Sequence, residues 1–287
     1  MSAGNARVVI LTSFLPNYRL LADWAERHDH KIVLVVTPPA GSGRYGGGEL
    51  ASGLGKGVSF LVTSKLRTVA APLIAALTPD LVISAAFARL IPQEILDIPT
   101  YGALNLHPSV LPVGRGPNPM RLVYEGAKTI GATLHRTEAA FDTGAILSQR
   151  ERPLPKDLSG PALLAGWLDM FTDVIDEGTE KALRGEPGVP QESRDASYAP
   201  AFSAAEQVID FTEPAAVICR KVAALNVLAI RATIRLPNME GFIRHAEPIM
   251  AGGEAPATVL AVHDDGWTVQ AGDLAVRLFT EERPPSG

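Results

Sequence analysis

Residues 7–37 read RVVILTSFLPNYRLLADWAERHDHKIVLVVT, and this stretch decides the predicted fold. Residues 7–13 and 31–37 are short, mostly apolar runs, as expected of strands that are buried on both faces. Between them, residues 17–28 carry apolar side chains at helical spacing. A strand, a helix and a second strand in this order predict one unit of a parallel α/β sheet.

The same alternation continues along the first half of the chain. Strands are predicted over residues 58–64, 81–87 and 102–107, and a helix over residues 66–78. The repeated pattern predicts a Rossmann-like, mostly parallel sheet with helices on both faces. The turn after the first strand lacks the G-x-G-x-x-G fingerprint, so a dinucleotide cofactor is not expected.

The chain is predicted to end in a second, smaller domain. Residues 183–200 are rich in proline, serine, glycine and charge, which indicates a linker. A helix over 212–226, capped by Thr212, precedes short strand patterns with a DDG turn at 264–266, which is typical of a small β-barrel. The predicted boundaries are a catalytic domain 1–185, a linker 186–205 and a β-rich C-terminal domain 206–287.

Composition narrows the class of protein. The chain has 287 residues, a net charge of −5 and a single cysteine, Cys219, so it offers no disulfide framework and no cysteine-based metal site. The six histidines are scattered, and we expect no metal. No apolar run is long enough for a membrane span and no cleavage pattern follows the start, so a cytoplasmic protein without a membrane partner is predicted.

Residues 105–119, NLHPSVLPVGRGPNP, begin at the end of a predicted strand, where parallel sheets bind ligands. Asn105 and His107 are two residues apart and therefore point to the same side of that strand. A DTG turn further along carries Asp142. A carboxylate that orients an imidazole is an acid/base pair, and an asparagine amide can donate to a developing oxyanion. These residues therefore favour an α/β enzyme with acyl-transfer chemistry.

Structural roles remain open from the residues alone. A histidine near a strand end is more often structural, and an aspartate before Thr-Gly is commonly a turn residue. His135 is expected to lie on one face of a strand with its ring satisfied by packing.

NLHPSVLPVGRGPNP together with FDTGAIL resembles the 10-formyltetrahydrofolate-dependent formyltransferases. That family combines Asn-x-His-x-Ser-Leu-Leu-Pro-x-x-Arg-Gly with an Asp-x-Gly loop about 35 residues later. The resemblance covers most of residues 7–185. The tail from YAPAFSAAEQVIDF onward is similar to the C-terminal domain shared by methionyl-tRNA formyltransferases and several sugar formyltransferases.

The resemblance implies roles for individual residues. Asn105 would hold the formyl oxygen, His107 would move protons between the attacking amine and the departing folate nitrogen, and Asp142 would hold His107. Ser109 and Arg115 would contact the substrate. The co-substrate would be 10-formyltetrahydrofolate, without a metal. Its predicted binding site consists of Phe87, Arg89, Leu90, Ile91, Pro92, Glu138, Ala140, Phe141 and Asp142.

The acceptor is predicted from charge. From residue 200 onward there are eleven acidic and seven basic residues, and the stretch 37–57 carries only Arg44 and Lys56 as basic residues. A protein that binds a polyanion needs basic surface. We therefore predict a small-molecule amine acceptor, such as an amino sugar or an amino acid derivative, with nucleic acid unlikely.

Two alternatives and the oligomeric state stay open. The first alternative is a methionyl-tRNA formyltransferase, favoured if Arg44, Arg115 and Arg121 converge on one face. The second is a catalytically silent folate-binding module. A homodimer is also left open.

Overall fold

The computed structural model describes residues 5–39, 47–55, 57–87, 89–237 and 239–281. Contacts between residues divide the chain into two compact units that interleave along the sequence. Unit 1 comprises Met1–Pro117, Gly131–Glu151 and Trp167–Tyr198, and unit 2 comprises Asn118–Ile130, Arg152–Gly166 and Ala199–Gly287. The domain boundaries expected from the sequence stay a prediction.

A seven-stranded sheet organises the first part of the fold. Its strands are β1 (Arg7–Thr12), β2 (Lys31–Thr37), β3 (Phe60–Val62), β4 (Leu81–Ala85), β5 (Ala103–His107), β6 (Thr129–Arg136) and β7 (Ile146–Pro153), in the order β3-β2-β1-β4-β5-β6-β7. Neighbouring strands from β3 to β5 are parallel, and β6 runs antiparallel to β5. The predicted mostly parallel α/β sheet is confirmed.

The structure contains a helix in each of the three segments where the sequence predicts one, 17–28, 66–78 and 212–226, and further helices that the sequence pattern did not predict. The helices are α1 (Leu15–Arg27), α2 (Gly47–Gly53), α3 (Ala71–Leu77), α4 (Gln93–Leu96), α5 (Met120–Glu125), α6 (Gly160–Leu183) and α7 (Ala215–Leu225). In α1, Leu21 and Trp24 are fully buried, as the helical spacing of the apolar residues predicts. Residues 7–37 therefore form β1, α1 and β2.

One predicted helix has a different start. The segment Leu66–Ala70 is a π-helical turn, and the α-helix begins only at Ala71. The amide of Ala70 donates to the carbonyl of Lys65, five residues back. Pro72 lies in the first turn of this α-helix. Because proline has no N–H to donate to the preceding turn, it is tolerated at the start of an α-helix but not in its interior.

Unit 2 contains a five-stranded antiparallel sheet next to α7. The strands are β8 (Thr233–Leu236), β9 (Met239–Ile249), β10 (Val259–His263), β11 (Gly266–Gln270) and β12 (Ala275–Glu281), in the order β10-β11-β12-β9-β8. Ile218 and Val222 of α7 share a buried core with Ile234, Ile243 and Val276 of the sheet. The predicted β-rich C-terminal part is confirmed, including the turn between β10 and β11.

The predicted cap of α7 is wrong. The hydroxyl of Thr212 donates to Oδ1 of Asp210 at 2.8 Å, not to the helix. The amide of Ala215 is instead bound by Oδ1 of Asp273 at 2.8 Å. Asp273 is 58 residues further along the chain, so no local pattern could reveal this partner.

None of the helices in the described part of the chain combines the length and the apolar character that crossing a bilayer requires.

Candidate active site

Asn105, His107 and Asp142 are brought together at one edge of the sheet in unit 1. Asn105 and His107 lie at the carboxyl end of β5, and Asp142 lies on the loop between β6 and β7. Oδ1 of Asp142 is 3.3 Å from Nδ2 of Asn105 and 3.4 Å from Nδ1 of His107. One carboxylate oxygen therefore faces both of the other two predicted catalytic side chains.

The amide of Asn105 has a fixed orientation. Its Oδ1 accepts a hydrogen bond of 2.7 Å from the hydroxyl of Ser84 on β4. Its Nδ2 lies 3.1 Å from Nε2 of His135 and donates to Asp142. Because an amide nitrogen carries two hydrogens, both point at defined acceptors. The Nδ2 group of Asn105 is therefore held between His135 and Asp142.

His135 belongs to this site. It is directly opposite Asn105 in the pairing of β5 with β6, and it is 1% exposed. Its Nδ1 donates to the carbonyl oxygen of Arg136 at 2.7 Å, which leaves Nε2 as the acceptor that faces Asn105. The ring is buried on a strand, as expected. Its nitrogens are satisfied by hydrogen bonds and not by packing alone, and the ring also lines a cavity.

The ring of His107 is buried and held from one side. Its Nε2 donates to the carbonyl of Gly114 at 2.8 Å, so Nδ1 is the nitrogen that can take a proton. Burial lowers the pKa of His107 below its ordinary value, although the charge of Asp142 and the Gly114 carbonyl act in the opposite direction. Because its pKa is lowered, the ring of His107 is neutral near pH 7.

Asp142 is ionised and strained. Burial alone would raise its pKa, but the neighbouring rings of His135 and His107 and the backbone amide of Gly116 together lower the pKa to about 2. That amide donates to Oδ2 at 2.8 Å. Asp142 has a φ of +54°, in the left-handed region that side chains other than glycine rarely occupy. Such backbone persists only where surrounding contacts hold it.

Gln191 supplies one of these holding contacts and was not predicted. Its Nε2 donates to the carbonyls of Asp142 at 2.9 Å and Gly144 at 2.8 Å. Its Oε1 accepts from Nε and Nη2 of Arg115 at 3.1 and 2.7 Å. Two donors and two acceptor positions are the full capacity of a glutamine amide. Gln191 therefore joins the segment around Arg115 to the Asp142 loop.

An open cavity lies beside this network. Its wall is formed by Ser84, Phe87, Arg89, Leu90, Ile91, Asn105, His135, Thr137, Glu138, Ala140, Phe141 and Asp142. Eight of the nine residues predicted to bind the folate line it; Pro92 is buried next to them, at the start of α4.

Two polar atoms in the cavity residues lack a partner among the described residues. They are Nε of Arg89 and the hydroxyl of Thr137, and both are buried. A buried polar atom without a hydrogen bond costs free energy, and such atoms mark places where a ligand can complete the bonding. Thr137 was not predicted as a site residue.

Ser109 and Arg115, predicted to contact the substrate, do not line the cavity. Ser109 is 1% exposed and its hydroxyl donates to the carbonyl of Val113 at 2.6 Å. Arg115 is bound by Gln191. Their contact with substrate stays a prediction. Arg44 and Lys56, the basic residues of the stretch 37–57, lie outside the described residues.

Within the described ranges, no group of three or more histidine, cysteine, aspartate or glutamate side chains is arranged to hold a metal ion.

A family model described as formyl transferase matches residues 6–163, which contain Asn105, His107 and Asp142. The chain belongs to the formyl transferase family. This membership confirms the resemblance, and it confirms that the chain is a formyl-transferring enzyme whose donor is 10-formyltetrahydrofolate. The alternative of a catalytically silent module is set aside.

Relatives whose function is given by their names match most of this chain. A methionyl-tRNA formyltransferase of Aromatoleum aromaticum is 34% identical over 218 residues, 74% of this chain and 67% of the relative. Another, from Stenotrophomonas maltophilia, is 31% identical over 269 residues, 90% of this chain and 87% of the relative. These relatives support the same family over both units of the chain.

A solved structure shows the same fold. HypX from Aquifex aeolicus, in complex with tetrahydrofolic acid, superposes with a TM-score of 0.73 at 22% identity. The match covers 96% of this chain but 44% of HypX, so this chain spans less than half of that protein.

The predicted small-molecule acceptor, with nucleic acid as an unlikely partner, is wrong. The relatives that match this chain over most of its length are named methionyl-tRNA formyltransferases. The net charge of a segment gave the wrong answer for a physical reason. A sum over the sequence does not describe the electric field at any one part of the surface.

Contacts within unit 2 show why a count of acidic and basic residues does not describe its surface. Glu206 pairs with Arg121 at 2.8 Å, and Glu213 pairs with Lys221 at 2.6 Å. Asp273 accepts a hydrogen bond from the backbone amide of Ala215 at the start of α7. Glu206 and Glu213 are therefore paired with cations within unit 2 and are not free negative charges at its surface.

Proposed function

We propose that this enzyme transfers the formyl group of 10-formyltetrahydrofolate to the amino group of methionyl-tRNA. The observation that carries the proposal is the match to methionyl-tRNA formyltransferases at 28–34% identity over 74–90% of this chain. The proposed acceptor places the enzyme in the cytoplasm, where charged initiator tRNA enters protein synthesis.

We place the folate in the cavity beside Asn105. Leu90 and Phe141 are half exposed there and offer apolar surface to the flat pterin ring. The unpaired atoms of Arg89 and Thr137 would bind its polar edge. The formyl group would then point toward the amide of Asn105, which lies in the same cavity wall.

The reaction requires an oxyanion site. The acceptor amine attacks the formyl carbon, a C–N bond forms, and the carbonyl electron pair moves onto oxygen. We assign Nδ2 of Asn105 as the donor to that oxygen. Both of its hydrogens are engaged by His135 and Asp142 in the structure, so the formyl oxygen would replace one of these acceptors.

A proton must then move from the amine to N10 of the folate as the bond between the formyl carbon and N10 breaks. We assign this transfer to His107. Its Nε2–H is held by Gly114, so the proton would be taken at Nδ1, which faces the ionised Asp142. The carboxylate stabilises the imidazolium that forms, and the proton then leaves for N10. His107 is not part of the cavity wall, and Asp142 links it to the cavity.

The test is a formylation assay with purified enzyme, 10-formyltetrahydrofolate and initiator tRNA charged with methionine. Formyl-methionine released from the tRNA and the folate product should appear in equal amounts. The control reaction contains uncharged tRNA, which has no amino group to accept. A panel of amino sugars and free amino acids is run in parallel. Turnover of a panel amine with none of methionyl-tRNA would overturn the proposal.

A further inference from the structure

Ser197 lies in the segment predicted as a linker, yet its polar groups bind the part of the chain next to His107. Its amide donates to the carbonyl of Pro112 at 3.2 Å, and its carbonyl accepts from the amide of Arg115 at 3.0 Å. Its hydroxyl oxygen accepts from the amide of Gly114 at 2.9 Å. Ser197 is exposed, so water could have satisfied these groups. All three are instead bonded to residues 112–115.

Gly114 connects Ser197 to the ring of His107. Its carbonyl accepts from Nε2 of His107 at 2.8 Å, and its φ of +75° lies in the left-handed region. Glycine has more backbone freedom than any other residue, so the direction of its carbonyl needs support from partners. Ser197 binds the peptide groups on both sides of the Gly114 Cα, through the amides of Gly114 and Arg115. It therefore fixes where the Gly114 carbonyl points.

The direction of this carbonyl decides which nitrogen of His107 carries the proton. A neutral imidazole has one N–H, and two acceptors compete for it. The Gly114 carbonyl is 2.8 Å from Nε2, and Oδ1 of Asp142 is 3.4 Å from Nδ1. A carboxylate is the stronger acceptor at equal distance, so the proton stays on Nε2 only while the carbonyl keeps its shorter contact. A proton on Nδ1 would block the nitrogen assigned to take the proton of the amine.

Tyr198 supports the Asp142 side of the same arrangement. It pairs with Arg115 in a parallel bridge, and its ring packs on Gly116, where an added Cβ would overlap the ring. The amide of Gly116 donates to Oδ2 of Asp142 at 2.8 Å. Two successive residues, Ser197 and Tyr198, therefore contact the backbone that binds His107 and the backbone that binds Asp142.

We propose that Ser197 is a positioning residue, which keeps the proton of neutral His107 on Nε2 by fixing the Gly114 carbonyl. Ser197 is not part of the cavity wall, so it acts through Gly114 and not on the folate. The inference rests on the proposed function, since it concerns the group to which the proton transfer is assigned.

The experiment records nitrogen-15 spectra of the full-length protein with labelled histidines, without folate or acceptor, at a pH at which His107 is neutral. The chemical shifts of the two ring nitrogens show where the proton is, and the spectrum of His107→Ala identifies the signals of His107. The unaltered protein should carry the proton on Nε2. In Ser197→Ala the Gly114 amide loses its acceptor. The ratio of the Nδ1–H form to the Nε2–H form should then rise about three- to tenfold, the effect of one hydrogen bond.

Formylation kinetics give the second readout. In Ser197→Ala, kcat should fall about three- to tenfold while KM for 10-formyltetrahydrofolate stays the same, because the cavity is untouched. Ser197→Thr keeps the hydroxyl at an exposed position and should restore both kcat and the proton distribution. Ser64→Ala is the matched control, since Ser64 is another exposed serine of unit 1 and lies outside this network. It should behave as the unaltered protein in both measurements.

The two readouts separate this inference from the proposed function. If His107 in Ser197→Ala keeps the proton distribution of the unaltered protein, the inference is wrong and the proposed function stands. A changed distribution with an unchanged kcat would also overturn it, because the place of the proton would then not matter for the transfer. The spectra need no acceptor. They decide the inference even if methionyl-tRNA is not formylated, the result that overturns the proposed function.

Discussion

Oδ1 of Asp142 lies 3.4 Å from Nδ1 of His107, and both side chains are at most a tenth exposed. An ionised carboxylate next to the one imidazole nitrogen that can accept a proton is the arrangement required for proton transfer. The proximity also makes the two residues interdependent, because each affects the charge that the other can carry.

His107→Ala should lower turnover about a hundredfold or more, since no other group takes the proton at this position. Asn105→Ala should cause a loss of similar size through the oxyanion. Both are measured as kcat for formylation, with thermal unfolding as the check that the variants are folded. Near-full activity of a folded His107→Ala protein would exclude the assigned mechanism.

Activity should persist below pH 6.5, the ordinary pKa of histidine. The base form of His107 is the neutral ring, and burial lowers its pKa, so kcat/KM should fall only as the pH drops through this lowered value. Asp142, with a pKa of about 2, stays ionised throughout that range.

Asp142→Asn tests whether the charge of Asp142 affects the pKa of His107. The titratable groups facing His107 are Asp142 and His135, and the charge of Asp142 raises the pKa of His107. Its removal should shift the acidic limb of the pH profile to lower pH and reduce the plateau. A limb that moves to higher pH in this variant would contradict the assignment of His107 as the base.

Much of the fold follows from local pattern, because strands buried on both faces are continuous apolar runs. The alternation of side chains along β5 also predicts correctly that Asn105 and His107 share a side. The contribution of His135 depends on the register between β5 and β6, which a single sequence does not reveal. Gln191 lies in a segment whose composition indicates a linker, and its contacts with Asp142 and Arg115 arise only from the path of the folded chain.

Arg89→Met and Thr137→Val should each weaken binding of tetrahydrofolate about tenfold, the effect of losing one hydrogen bond to a buried group. Calorimetric titration gives the dissociation constants. Arg67→Met is the control, because Arg67 is exposed and pairs with Glu94 outside the cavity. Since Nε of Arg89 has no hydrogen-bond partner among the described residues, Arg89→Met should not lower the stability of the unliganded enzyme. Unchanged affinity in both cavity variants would mean that the folate binds elsewhere.

Gln191→Met should lower kcat about tenfold while leaving the affinity for tetrahydrofolate nearly unchanged. The methionine has the same length but cannot donate to the carbonyls of Asp142 and Gly144, so the strained loop loses a support. Glu192→Gln, one residue away and exposed, is the matched control. Nuclear magnetic resonance of labelled histidines adds a readout without acceptor: a carboxylate that moves away should lower the pKa of His107. An unchanged titration of His107 with full activity would show that Gln191 has no positioning role.

Gly144→Ala should disrupt the site through backbone overlap. A Cβ at this position would collide with the carbonyl oxygen of Arg136, the group that accepts from Nδ1 of His135. Either the Asp142 loop or that carbonyl must shift, and overpacking of this kind costs about 1–3 kcal/mol. We expect a lower midpoint of thermal unfolding together with a loss of kcat, because His135 would no longer be fixed opposite Asn105. Gly55→Ala is the control, since the nearest atom to its added Cβ is a methyl carbon of Val58 at 3.9 Å. If Gly144→Ala is as stable and as active as Gly55→Ala, close packing behind the Asp-x-Gly loop does not hold the catalytic geometry.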